Sequence, residues 1–249
     1  MASSRAEAQD AVRAGLVTVG GTKADTPATM VSTDAPVGIA AAPKRFVSRG
    51  GEKLFAALER FGVDASGRLC LDVGASAGGF TDCLLKSGAS AVAAVDVGYG
   101  QLDWSLRTDP RVTVIDRTNA RDLSAGTLPF VPELVVADLS FISLRVVAPA
   151  LVGIGAPDAE FVVLIKPQFE AAQPDVGKRG VVRDPAVWRR VVSEVASVFS
   201  GLGAAPLDLM ASPLRGPAGN VEFLMHARTQ SQATPLEIDR AIAEAEAVA

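Results

Sequence analysis

The sequence is poor in metal-binding and redox side chains. Histidine occurs once, as His226, and cysteine twice, as Cys70 and Cys83, among 249 residues. No Cys/His spacing suited to a metal knot is present, so no metal is expected. The two cysteines fall in apolar stretches, which suits buried free thiols in a reducing compartment better than a disulfide. No apolar run approaches the roughly 18 residues of a membrane span. Met1 to Glu7 hold no apolar signal core, and a cytoplasmic location is the expectation. Neither sign of charge dominates: 24 basic residues face 28 acidic ones, for a net charge of -4. Any contact with a polyanion must then come from local basic patches, not from a wholly basic surface. The hydrophobic share of 49% is enough for one full core domain and a small appendage.

What the chain does have is a glycine turn between two strong periodic signals. Leu69-Cys70-Leu71-Asp72 is an apolar run ending in an acid, followed by Val73-Gly74-Ala75-Ser76-Ala77-Gly78-Gly79-Phe80-Thr81. Asp82 to Lys86 then carry apolar residues at helical spacing, giving strand, tight turn and helix. Glycine admits positive φ and close approach of a ligand to the backbone. The helix start adds free N–H groups and the positive end of a dipole. Ala91 to Val95 form a second strand ending in Asp96, about 20 residues beyond the first glycine, where an acid meets a ribose hydroxyl pair. The turn is not GxGxxG, which weakens a dehydrogenase reading. It resembles the cofactor loop of S-adenosylmethionine-dependent methyltransferases. A turn that merely joins a strand to a helix is the plain alternative.

Further strands are predicted at Arg111–Ile115, Leu134–Asp138, Phe161–Lys166, Leu207–Ser212 and Val221–Ala227, the second ending in an acid, the third in a lysine, and Glu222 lying inside the last. Helices are predicted from Glu52 to Phe61, through Trp104 and Leu106, from Pro185 to Val198 and from Pro235 to the end. Residues 168–184 read as a polar loop. Alternating strands and helices predict an α/β fold, a doubly wound, mostly parallel seven-stranded sheet of the Rossmann-like methyltransferase kind.

Ahead of this domain, Arg5 to Ala14 read as a helix capped by Ser3 or Ser4 and stopped by Gly15, with Leu16 to Gly21 as strand and turn. Ser4-Arg5-x-x-Ala8 before Gly15-x-Val17-x-Val19-x-Gly21 is similar to the RNA-binding module of ribosomal protein S4. The resemblance implies that Arg5 and Arg13 face RNA phosphates and that the module lacks its usual first helix. A surface helix and hairpin without an RNA role is the alternative. The expected division is a partial S4-like α/β module over residues 1–31, a linker over 32–43 and the methyltransferase domain over 44–249.

Lys53, Asp138, Lys166 and Glu222 stand where an ordinary core would not place charge, at strand ends and a helix start. Their order and setting resemble the tetrad of FtsJ-like ribose 2′-O-methyltransferases. The stretches Ser48–Leu54, Asp72–Thr81, Asp96–Leu102, Arg117–Arg121, Ala137–Ser143, Lys166–Glu170 and Ser212–Glu222 resemble more closely the TlyA family of ribosomal RNA 2′-O-methyltransferases, once called haemolysins. That resemblance implies methylation of a cytidine 2′-hydroxyl, S-adenosylmethionine as cofactor, and ribosomal RNA or a ribosomal subunit as partner. The tetrad would be catalytic, with Lys166 accepting or steering the hydroxyl proton, the two acids orienting the lysines, and Lys53 holding the ribose or phosphate. Asp72, Gly74, Ala75, Ser76, Gly78, Gly79, Phe80, Asp96, Val97, Asn119, Asp122 and Asp138 would contact the cofactor. RNA would meet Lys44, Arg45, Arg49, Lys178, Arg179 and Arg183 in addition to Arg5 and Arg13. A methyltransferase of another substrate, a non-enzymatic RNA binder, a haemolysin and a purely structural salt-bridge cluster are the alternatives.

Overall fold

The computed structural model describes residues 5–13, 15–40 and 45–247. The chain divides into two units, Met1–Arg45 and Phe46–Ala249. Ser3, Ser4 and Lys44, expected as caps and as an RNA contact, lie outside the described residues.

The first unit opens with α1 (Arg5–Arg13), and Gly15 at φ 69° returns its N–H to Val12 O at 2.8 Å. β1 (Val17–Val19) and β2 (Thr22–Lys23) then form a hairpin, Val19 facing Thr22. Its two-residue turn, Gly20-Gly21, has φ of 58° and 83°, the double positive φ that a type I′ turn demands and glycine supplies freely. The segment expected as a linker contributes β3 (Val37–Ile39), antiparallel to β1 with Val17 opposite Ile39. A two-strand hairpin is marginal alone, and a third strand is the physical reason this segment is recruited.

The second unit carries, in order, α2 (Gly50–Phe61), β4 (Leu69–Val73), α3 (Gly79–Lys86), β5 (Ala91–Val95), α4 (Trp104–Arg107), β6 (Val112–Ile115), β7 (Leu134–Ala137) and α5 (Leu144–Ile154). There follow β8 (Glu160–Ile165), α6 (Pro167–Glu170), α7 (Pro185–Gly201), β9 (Ala204–Ala211), β10 (Phe223–Thr229) and α8 (Ile238–Ala247). The sheet runs β6-β5-β4-β7-β8-β10-β9. Its first five strands are parallel, while β10 is antiparallel to both neighbours.

Side chains alternate across each strand. Leu71, Val135 and Val163 pack with Val147, Leu151, Val191, Val195 and Phe199 of α5 and α7 on one face. Cys70, Val136 and Leu164 pack with Leu54, Leu58, Cys83 and Leu84 of α2 and α3 on the other. Both cysteines are buried free thiols. Among the described residues no helix is long and apolar enough to cross a membrane.

Two registers place the chemistry. Val73 pairs with both Ala137 and Val95, so the chain leaves β4 as Gly74 flanked by Asp138 and Asp96 at the ends of β7 and β5. Phe223 pairs with Ile165 in the antiparallel ladder, which carries Glu222 to the same rim as Lys166. Glu222 lies one residue before β10, not inside the strand as expected, though its carbonyl still accepts from Ser212 N at 2.8 Å.

Candidate active site

The glycine turn is built for close approach. Gly74 has φ 86°, and a Cβ there would lie 2.5 Å from Asp138 O. Gly78, at φ 95°, opens α3 with Leu102 and Leu106 pressed on it, and a Cβ on Gly79 would meet Ser48 Oγ at 2.2 Å. Ser76 takes the left-handed region at φ 47°, which directs its N–H to Asp96 Oδ2 at 2.8 Å. Asp96 Oδ1 accepts from Gly98 N at 2.7 Å. Each carboxylate oxygen keeps a further lone pair for a hydroxyl donor.

Two cavities meet at this turn. The first, about 470 Å³, is lined by Gly74, Ser76, Asp96, Val97 and Asn119 on one side and Leu139, Phe141 and Ile142 on the other. The second, about 310 Å³, holds Lys53, Lys166, Glu222 and Arg49, with Ala75, Gly79 and Phe80 in its wall. Gly74, Ser76, Asp138 and Ser140 line both. All four tetrad residues therefore converge, as two ion pairs. Lys53 Nζ sits 2.5 Å from Glu222 Oε2 with both side chains buried, and Lys166 Nζ sits 2.6 Å from Asp138 Oδ1. Lys166 also donates to Ser140 Oγ at 2.9 Å. The sequence alone leaves Lys53 open to being an ordinary solvated helix residue; its burial decides against that.

Three expected cofactor contacts fall elsewhere. Asp72 is fully buried beneath the turn, accepts from Thr81 Oγ1 at 2.6 Å and lines neither cavity. Burial pushes its carboxyl up to about 7, against the pull of the Thr81 hydroxyl and with the charges of Asp138 and Asp96 adding to the rise. Gly78 is covered by leucines, and Asp122 is exposed on a short helical turn, while Thr118, Asn119 and Ala120 ahead of it line the first cavity. Asn119 also caps the turn, accepting from Arg121 N at 3.0 Å.

The basic residues distribute unevenly. Arg49 lines the second cavity. Lys178, Arg179 and Arg183 are exposed on the loop before α7, Arg179 at φ 69°. Arg45 is exposed, and Arg5 and Arg13 belong to α1 of the first unit.

Sequence reasoning assigned no role to Ser140, Phe141, Glu170 or Asn220. Phe141 is 91% exposed at φ 63°, its ring 5.1 Å from that of Phe169. Buried Glu170 holds the start of α5, accepting from Leu144 N at 2.6 Å and Ser143 Oγ at 2.5 Å; burial raises its pKa. Asn220 accepts from Val182 N at 3.0 Å and donates to Gly180 O at 2.9 Å. The available signal was position: each lies within a stretch already singled out for its resemblance.

The chemistry of the first cavity fits S-adenosylmethionine. Apolar walls suit a purine, Asp96 suits a ribose diol, and the glycine turn leaves backbone room beside it. Comparison with known proteins agrees. The FtsJ-like methyltransferase model matches residues 46–229, and the S4 domain model matches residues 1–37. The chain is 51% identical to the 16S/23S rRNA (cytidine-2′-O)-methyltransferase TlyA of Mycobacterium tuberculosis, over 93% of this chain and 87% of that protein. It is 41% identical to Hemolysin A of Brachyspira hyodysenteriae, over 90% of this chain and 93% of that one. A solved structure described as a hemolysin, from Streptococcus thermophilus, superposes with a TM-score of 0.80 at 36% identity, covering 98% of this chain and 90% of that one. The chain belongs to the FtsJ-like methyltransferase family.

Proposed function

We propose that the protein transfers the methyl group of S-adenosylmethionine to a ribose 2′-hydroxyl, of a cytidine, in ribosomal RNA, in the cytoplasm. The observation that carries this is the pair of lysine–carboxylate contacts sharing a wall with the cofactor cavity. Supporting it are the name of the M. tuberculosis relative and the S4 match at the N-terminus.

The cofactor supplies an electrophilic methyl on a sulfonium. The protein's part is to hold an RNA hydroxyl in line and manage its proton. Lys166 is the group to do so. Its ammonium donates to Ser140 and is ion-paired with Asp138, and its remaining donor capacity can meet the acceptor oxygen. As a base it must give up a proton to solvent before taking the hydroxyl's. Lys53 is held by Glu222 and presents positive charge to the ribose or its phosphate. Arg49, Lys178, Arg179 and Arg183 are the proposed phosphate contacts of this unit, and Arg5 and Arg13 those of the first.

Methyl transfer from labelled S-adenosylmethionine to purified rRNA and to ribosomal subunits, with ribose mapping, tests the proposal. Label on a base, on protein, or on no RNA at all overturns it.

A further inference from the structure

The loop joining β9 to β10 also borders a third cavity, apart from the two of the active site. About 340 Å³ in volume, it is floored by the buried residues Val181, Val182, Trp188 and Val221. Arg183 and Arg215 stand at its rim. The same loop divides it from the catalytic cavity: Pro217 lines the catalytic side, Ala218 and Gly219 the other. Val221 and Glu222 are consecutive residues, one in the floor of this slot and the other in the tetrad. Asn220, almost fully buried, ties the loop to residues 180 and 182 through both its amide atoms. Trp188 Nε1 donates to Val182 O at 3.1 Å and holds the other wall. These hydrogen bonds fix both walls of the slot, and a rigid site lowers the entropic cost of filling it.

An apolar floor under two guanidinium groups suits a flat, anion-tethered ligand. Guanidinium binds phosphate and stacks on planar rings, and unpaired bases are recognised by burying their faces. We propose that this slot binds an unpaired nucleotide flanking the methylated one, its base inserted against Val181 and Val221 beside the edge of Trp188 and its phosphate at Arg183 and Arg215. This rests on the RNA-methylation reading above. It adds a second nucleotide subsite, set by the reverse side of the loop that carries Glu222.

The test uses the full chain. Trp104→Phe leaves Trp188 as the sole tryptophan, because the chain has two. A short single-stranded oligoribonucleotide should shift Trp188 emission saturably, and the same strand with abasic sites, or inorganic phosphate alone, should not. Ala218→Phe fills the slot without changing charge. It should raise KM for rRNA about tenfold, the equivalent of about 1.4 kcal/mol, with kcat within about twofold and S-adenosylmethionine affinity unchanged. An unchanged KM in folded Ala218→Phe overturns the subsite, as does a silent Trp188 in a Trp104→Phe protein that methylates rRNA. An equal response to phosphate alone reduces the slot to an anion site and also overturns it. If Ala218→Phe does not fold, the Trp188 titration decides by itself. A protein that methylates no RNA sinks the parent reading instead.

Discussion

Lys53 and Glu222 are separated by 169 positions and meet at 2.5 Å, their side chains 9% and 1% exposed. Removing one partner of such a pair strands a buried charge, at a cost of about 3–5 kcal/mol. Lys53→Ala and Glu222→Ala should each lose methyl transfer and melt on the order of 10 °C lower. Lys53→Met with Glu222→Gln leaves no stranded charge and should recover most of the melting temperature but none of the transfer. Activity returning with stability would make the pair structural only.

Lys166 differs in consequence. Its ion pair with Asp138 is at a cavity mouth, and it lies in the wall of the second cavity and not of the first. Lys166→Ala should cut kcat by about 10²–10⁴-fold, the range for a positioned proton-transfer group. S-adenosylmethionine affinity by calorimetry should stay within a few-fold. Lys166→Arg should not rescue, since guanidinium does not deprotonate. Near-normal turnover in folded Lys166→Ala excludes the assigned role.

How much of this was readable beforehand follows from range of interaction. The alternation of strands and helices is local, so the sheet and the glycine turn were legible from Leu69–Thr81 and Ala91–Asp96. The tetrad was visible as charge in apolar surroundings, but its pairing was not. Which lysine meets which acid depends on the antiparallel register Phe223–Ile165, a long-range fact. Asp72 misled because a strand-terminal acid looks the same in sequence whether it faces a ligand or a buried threonine. The strand within the expected linker is only three residues long and exposed, with too little periodicity to announce itself.

Gly74 tests the cofactor placement. Its φ of 86° and the 2.5 Å approach of Asp138 O leave no room for a Cβ, and the obstructing atom is backbone. Gly74→Val should abolish S-adenosylmethionine binding in protein that remains folded by circular dichroism, and Gly74→Ala should weaken it by at least tenfold. Wild-type affinity in either would misplace the site.

Phe141 combines near-complete exposure with a left-handed backbone, which costs a non-glycine residue about 1–3 kcal/mol. Such strain on an exposed aromatic that lines the first cavity next to Ser140 of the shared wall, with one side against Phe169, fits a surface whose open side takes an RNA base where the two cavities meet. Phe141→Gly relieves the backbone and should melt at or above the wild-type temperature. It should nevertheless raise KM for rRNA about tenfold, while Phe141→Tyr keeps it near normal. A fall in stability without a change in KM would assign the residue to folding.

Asp72 gives the fold a pH dependence of known sign. Its carboxyl moves from an ordinary 3.8 to about 7 because the native state buries it, with Oδ1 left without a hydrogen-bond partner. A carboxyl with a raised native pKa binds its proton more tightly folded than unfolded. Its contribution is therefore fully present below about pH 4 and is lost as pH rises through about 7. Asn at this position is neutral throughout and still offers an oxygen to the Thr81 hydroxyl. Asp72→Asn should thus match the wild type in melting temperature near pH 4.5 and exceed it by several degrees at pH 8. S-adenosylmethionine affinity should fall less than in Asp96→Asn, since only Asp96 lines the cavity. Thermal melts across that range decide the matter: a gap that does not widen with pH would mean that Asp72 is ionised at little cost in the native state.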